Sequence, residues 1–216
     1  MTLQSFDALP EEALKEILAL TEAKKRLDLQ EQAQNKFMPF AHHVYENFIE
    51  GRHHRVIAEK LEAVARGELK RLIINMPPRH SKSEFASYLM PAWFLGRNPK
   101  LKIIQATHNT ELAVRFGRKV RDLIDDPAYR EIFPETNLKE DNKGAGKWGT
   151  DKGGEYFAAG VGAAVTGRGA DLFVIDDPHS EQDAMSDTAF DNAYEWYTSG
   201  PRQRLQPGGA IIIVMT

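Results

Sequence analysis

RLIINMPPRHSKSE, residues 71–84, passes from an apolar run through two prolines to a lysine–serine pair. Leu72, Ile73 and Ile74 form the continuous apolar run of a strand covered on both faces of a parallel sheet. Pro77 and Pro78 stop it, and from Glu84 to Phe94 helix-forming and aromatic residues follow with Pro91 as the one interruption. The order is strand, loop, helix.

A loop between a strand's carboxyl end and a helix start offers unpaired N–H groups and the positive end of a helix dipole to an anion. Lys82 and Ser83 narrow that anion to a nucleoside triphosphate. A lysine there reaches the β- and γ-phosphates, and a serine hydroxyl ligates the Mg²⁺ that bridges them. Pro78, Arg79, His80 and Ser81 supply the rest of the phosphate-facing loop. The consensus GxxxxGK[ST] is broken, because Met76 and Ser81 hold its two glycine positions. On this segment alone, an ordinary exposed Lys-Ser pair opening a helix reads equally well.

DLFVIDDP, residues 171–178, supplies the second half. It is another apolar run, ending in two acids at the strand end where open α/β sheets bind ligands. One acid there can hold Mg²⁺ through water, and a second can orient or deprotonate an attacking water. In this order the two segments outweigh the plainer reading of a buried strand capped by a solvated Asp pair.

The chain of 216 residues is long enough for one sizeable core with appendages. No window approaches the roughly 18 apolar residues of a membrane span, and MTLQSFDALPEE lacks the basic and apolar regions of a signal peptide. Cysteine is absent, which excludes disulfides and cysteine zinc sites. Lys and Arg total 28 against 31 acids, so any DNA contact must be local, transient or completed by other subunits.

Residues 10–34 read as an amphipathic helical appendage starting at a proline, broken at Phe37-Met38-Pro39-Phe40. A second helical stretch holds His42, His43, Tyr45 and Phe48, and a third runs from about His53 to Arg66 and stops at Gly67. Adjacent histidines point to different helix faces, so His42-His43 and His53-His54 read as structural rather than as metal ligands. After a strand at 101–106, Asn109 opens a helix with Leu112, Phe116, Val120 and Leu123 on its buried face. Arg115, Arg118, Lys119 and Arg121 on the other side read as a solvated face, with a DNA or subunit contact as the alternative. Residues 141–150 read as a polar glycine loop, and residues 156–165 as strand-like. Ser186 caps a helix carrying Phe190, Ala193, Tyr194 and Tyr197 at helical spacing. The chain stops on a third apolar run, 210–215, which reads as a cut or truncated protein.

NMPPRHSKSE, HNTELAVRFGRKVRDLI, WGTDKGGEYFAAGVGAAVTGRGADLFVIDDP and PGGAIIIVMT, in that order, resemble the ATPase domain of the large terminase subunit of tailed bacteriophages. The resemblance covers about residues 36–216, leaving 1–35 as an amino-terminal helical extension. It implies a P-loop α/β fold with a mostly parallel central sheet flanked by helices. It also implies ATP and Mg²⁺ as ligands and the packaging of double-stranded DNA into a procapsid by a homo-oligomeric ring. Portal protein and small terminase subunit are the implied partners, in the host cytoplasm.

By the same resemblance Arg79 belongs to a deviant phosphate loop, Lys82 and Ser83 are its lysine and metal ligand, and Asp176 is the metal-coordinating acid. Met215-Thr216 resembles the motif that couples hydrolysis to movement, and Phe40, His43 or Tyr45 could contact the adenine. Many members carry glutamate where Asp177 stands, so Asp177 is the expected catalytic acid and Glu181 the alternative. Arg168, between Gly167 and Gly169, reads either as a finger reaching the nucleotide of a neighbouring subunit or as the partner of a local acid such as Asp171. The family's carboxyl-terminal nuclease domain is absent, so DNA cutting is not assigned. A helicase or remodelling ATPase, or a nucleotide-binding scaffold without turnover, are the rival readings.

Overall fold

In the computed structural model, which describes residues 10–165 and 167–216, the expected strands join one sheet. The amino-terminal residues 1–9 and Thr166 of the TGRG turn lie outside the described residues. The strands are β1 (Arg71–Asn75), β2 (Lys102–Thr107), β3 (Leu138–Lys143), β4 (Lys147–Thr150), β5 (Glu155–Gly160), β6 (Ala170–Asp176) and β7 (Leu205–Met215). They lie in the order β1-β7-β6-β2-β5-β4-β3. The first five in that order run parallel, and β4 and β3 extend the sheet antiparallel.

The helices are α1 (Glu11–Asn35), α2 (Phe37–Val44), α3 (Arg52–Ala65), α4 (Met90–Arg97), α5 (Thr110–Ile124), α6 (Pro127–Ile132) and α7 (Asp187–Ser199). A π-helical stretch, Glu84–Leu89, runs directly into α4. The chain is therefore α/β, with a mostly parallel sheet flanked by helices. No described helix is long and apolar enough to cross a membrane.

The main core lies on one face of the sheet, where Ile103, Leu172, Val174, Ile212 and Val214 meet the helices. The helix entered at Glu84 is apolar nearly all round, and Phe85, Leu89, Met90, Trp93 and Leu95 are fully buried. Phe37 packs against it, with its ring 5.4 Å from Phe85 and 5.5 Å from Trp93. The backbone N–H of Phe37 donates to buried Glu62 at 2.9 Å, which pins the start of α2. The second face carries Ile104, Phe173, Ile175 and Ile211 beneath Trp196 and Tyr197 of α7. Ile73 on that face of β1 remains 66% exposed, so α7 covers only part of it.

Several expectations are corrected. The amino-terminal helices do not part at 37–40: the break falls at Lys36, whose φ of −126° and ψ of 133° are extended. Pro39 sits inside the first turn of α2, where its missing N–H would have no intrahelical partner anyway. The supposed loop at 141–150 is largely the β3–β4 hairpin, in which Trp148 is buried, stacks on Tyr156 and donates to the Gly117 carbonyl at 2.9 Å. On α7 the packed side chains are Ala193, Trp196 and Tyr197, while Phe190 and Tyr194 are exposed. The last turns of α1 dock on the domain: Trp93 donates to the Ala33 carbonyl at 2.8 Å and Gln34 to the Ile132 carbonyl at 2.6 Å.

Phe37 ties α2 to the helix behind the phosphate loop, so Phe37→Ala should lower unfolding stability by about 3–5 kcal/mol. Urea unfolding followed by far-UV circular dichroism checks this, and a loss under about 1 kcal/mol would contradict the packing described.

Candidate nucleotide-binding site

β1, β7 and β6 end side by side, and Lys82, Ser83, Asp176 and Asp177 meet at their carboxyl ends. Asp176, the last residue of β6, is 2% exposed although it ends a strand. Ser83 Oγ donates to its Oδ1 at 3.0 Å and Ser87 Oγ to its Oδ2 at 2.6 Å. Burial raises the Asp176 carboxyl to about 6, against the lowering effect of the Ser87 and Ser83 hydrogen bonds. It forms no ion pair among the described residues, because the nearby ammonium is engaged elsewhere. Lys82, 6% exposed, donates through Nζ to Thr216 Oγ1 at 2.7 Å.

The loop achieves this without glycine. Arg79 and Ser81 have φ of 62° and 60°, and His80 between them is not left-handed. A backbone whose φ alternates in sign turns successive N–H groups to one side, the arrangement of an anion-binding nest. Ser81 stands at the consensus glycine position and adopts the conformation that a glycine would favour. The His80 ring contacts the Pro78 carbonyl at 2.9 Å, which braces the loop.

Asp177 is also left-handed, with φ of 42°, and is held by its own backbone. Its N–H donates to the Val214 carbonyl at 2.9 Å and its carbonyl accepts from the His108 N–H at 3.1 Å. A cleft of about 730 Å³ opens beside it, lined by Pro78, His108, Asp177, Glu181, Phe190 and Thr216 among others. Asp177 and Glu181 therefore face the same space.

Four of the candidate residues lie elsewhere. Arg168 precedes β6, at the opposite end of the strand from Asp176, where its guanidinium lies 4.0 Å from the Phe157 ring centre and 4.0 Å from Glu155. Asp171, its anticipated local partner, accepts instead from the Lys102 N–H at 2.7 Å. Phe40 is fully buried against Tyr129 and Phe133, so it cannot face a base. His43 Nε2 lies 3.2 Å from a Glu131 carboxylate oxygen without hydrogen-bonding to it, and Tyr45 stacks on Phe48 with ring centres 6.0 Å apart. The other histidines have local roles: His42 binds Glu50 at 2.6 Å, and His54 Nδ1 accepts from the Gly51 N–H at 2.8 Å. On α5, Lys119 is taken up by Glu84 at 2.9 Å and Arg121 by Asp122 and the Lys143 carbonyl. Arg115 and Arg118 line a separate surface groove with His108 and Asn109.

Sequence reading did not single out Ser87. Its signal was available: a serine four residues after Ser83, on the same helix face, inside the apolar run FASYLMPAWF.

No family model matches the sequence, and no curated protein matches it. Among solved structures the chain is similar to the large terminase of bacteriophage HK97, at 13% identity and a TM-score of 0.47. The alignment covers 78% of this chain and 33% of that one, so this chain spans about a third of the length of the terminase it matches. At that distance the functional reading rests on the site itself.

The raised Asp176 carboxyl has a thermodynamic consequence. Between pH 3.8 and about 6 the folded protein keeps a proton that the unfolded chain releases, so stability from this group is lost as pH rises through that window. The full effect is about 3 kcal/mol. In metal-free buffer, Asp176→Asn should therefore gain stability relative to wild type by about that amount on going from pH 4 to pH 7. Paired thermal melts across this range read the difference; parallel pH profiles for the two proteins would refute it.

Proposed function

We propose that this chain is an ATP-hydrolysing motor domain of a terminase large subunit, driving double-stranded DNA into a procapsid as part of a homo-oligomeric ring. The observation that carries the ATPase reading is the convergence of Lys82, Ser83 and Asp176 behind a nest-like loop. The packaging role comes from the motif order quoted above, and with it portal protein and small terminase subunit as partners. A solvated Lys-Ser pair would not be expected to bury its lysine or to hydrogen-bond a carboxylate distant in sequence.

The donor set fits Mg²⁺. Ser83 Oγ and Asp176 Oδ1 are hard oxygen ligands 3.0 Å apart, and the Lys82 ammonium near the carboxylate is hydrogen-bonded to Thr216 rather than to it. Ser83 and Asp176 would hold the ion, and when bound Mg²⁺ would neutralise charge on the phosphates. The protein's own contribution is binding and orientation. Lys82 moves from Thr216 to the phosphates, Arg79 and the N–H groups of residues 79–83 cradle them, and Asp177 holds the attacking water in the cleft, with Glu181 as its rival. Thr216 touches Lys82 at 2.7 Å and Asp177 at 3.5 Å, so the end of β7 is placed to respond when the lysine changes partner. Arg168 lies far from its own phosphate-facing loop, so as a finger it would act on the nucleotide of a neighbouring subunit; the rival reading, a local acid partner, is supported by its Glu155 contact.

Phosphate release by the assembled protein with double-stranded DNA present is the test. Lys82→Ala should lower it by at least ~10²-fold, the cost of removing one preorganised charge from a phosphoryl-transfer site. A fold intact by circular dichroism with unchanged turnover would overturn the site. Asp177→Asn should abolish hydrolysis and Glu181→Gln should spare most of it; the reverse pattern would transfer the role to Glu181.

A further inference from the structure

The Asp176 carboxylate has two oxygens with two different helical serines on them. Ser83 Oγ, half-buried, sits on Oδ1 at 3.0 Å, and under the reading above it must also turn a lone pair toward a cation. Ser87 Oγ sits on Oδ2 at 2.6 Å and is fully buried, so it has no access to nucleotide, solvent or partner. A serine inside a helix has a ready acceptor in the carbonyl one turn back. Ser87 bonds instead to a side chain 89 residues further along the chain. Its neighbours Phe85, Ala86 and Leu89 are buried apolar residues, an environment in which an unpaired hydroxyl is costly.

We propose that Ser87 is a positioning residue for metal binding: its hydroxyl fixes Oδ2 of Asp176, so that Oδ1 stays turned toward Ser83 as the ligand edge of the carboxylate. The inference rests on the reading of Ser83 and Asp176 as the Mg²⁺ site. Without Ser87 the carboxylate can rotate about its Cβ–Cγ bond, and a buried oxygen is left without a donor. Losses of outer-shell partners of metal-ligating carboxylates cost about 10–100-fold in metal affinity. Phosphate binding by the loop backbone and Lys82 does not involve this hydroxyl and should be spared.

The experiment measures Mn²⁺ binding by electron paramagnetic resonance in the presence of a non-hydrolysable ATP analogue, and separately the metal-free binding of ADP by calorimetry. Wild type, Ser83→Ala and Ser87→Ala are compared. The expected result is a Mn²⁺ affinity about 10-fold or more weaker in Ser87→Ala, with metal-free ADP affinity within about twofold of wild type. A structural serine would instead weaken both together, and that outcome overturns the proposal. Should Ser87→Ala fail to fold, Ser87→Cys keeps the side-chain shape, with a somewhat larger atom, and replaces the hydroxyl by a weak donor, and the same comparison is read on it. If Ser83→Ala loses Mn²⁺ while neither Ser87 variant does, the proposal fails and the site reading stands. If wild type binds neither Mn²⁺ with the analogue nor ADP, both fail.

Discussion

A carboxylate at the end of β6 is kept out of water by the helix that starts after the loop of residues 77–81, and two serines of that helix hold its oxygens. This places a strict demand on everything around it. The helix must lie across the sheet end in one register, because a shift by one residue would replace both hydroxyls with neighbouring side chains. Its own surface meets the demand: with Phe85, Leu89, Met90, Trp93 and Leu95 all buried, it is gripped by Phe37 on one side and by the sheet on the other. The amino-terminal helices matter through the same chain of contacts, since the Phe37 N–H is fixed by Glu62 of α3 and Trp93 by the Ala33 carbonyl of α1. Core packing far from the site thus decides the angle of one carboxylate.

What could be read from residues alone was what local pattern encodes. β1, β6 and the end of β7 are continuous apolar runs, β2 is one broken only by Gln105, and their strand–loop–helix punctuation located the Lys82 and Asp176 ends. β3 gave no such signal, because Lys139, Glu140 and Asp141 face solvent on an edge strand where only Leu138 is buried. The proline in the first turn of α2 looked like a breaker, since sequence does not say which N–H groups lack partners. Phe40 looked available to a base because its burial is made by Tyr129 and Phe133, distant in sequence. The spacing of Ser87 from Ser83 was visible, but its acceptor, 89 residues further on at the end of β6, was not. On α7 the periodicity was right, but only the side turned to Trp196 and Ala193 meets the sheet.

The loop shows how a chain can do without the glycines that its backbone shape favours. Arg79, Ser81 and Asp177 all adopt left-handed conformations, each at a cost of roughly 1–2 kcal/mol for an L-residue. Such cost persists where surrounding contacts over-determine the backbone, and here those contacts are present. Asp177 is bonded to β7 through its N–H and to His108 through its carbonyl, and the Ser81 carbonyl accepts the Phe85 N–H at 2.9 Å as the helix begins. Side chains at these positions also narrow the conformations open to the unfolded loop, which offsets part of the cost.

Arg168 and the phosphate loop occupy opposite poles of the sheet, separated by the length of β6, about 20 Å for its seven residues. For this arginine to serve a nucleotide, one subunit must set its lower pole against the upper pole of the next. Such a contact joins two different patches and is therefore heterologous. A twofold dimer, which mates a patch with itself, could satisfy it only by bringing both poles of each subunit into one interface. Rotation that closes gives a ring in which every site is completed by its neighbour, and rotation that does not close gives a filament. If Arg168 serves a neighbour's nucleotide, the placement of that single cation would restrict the symmetry available to such an assembly.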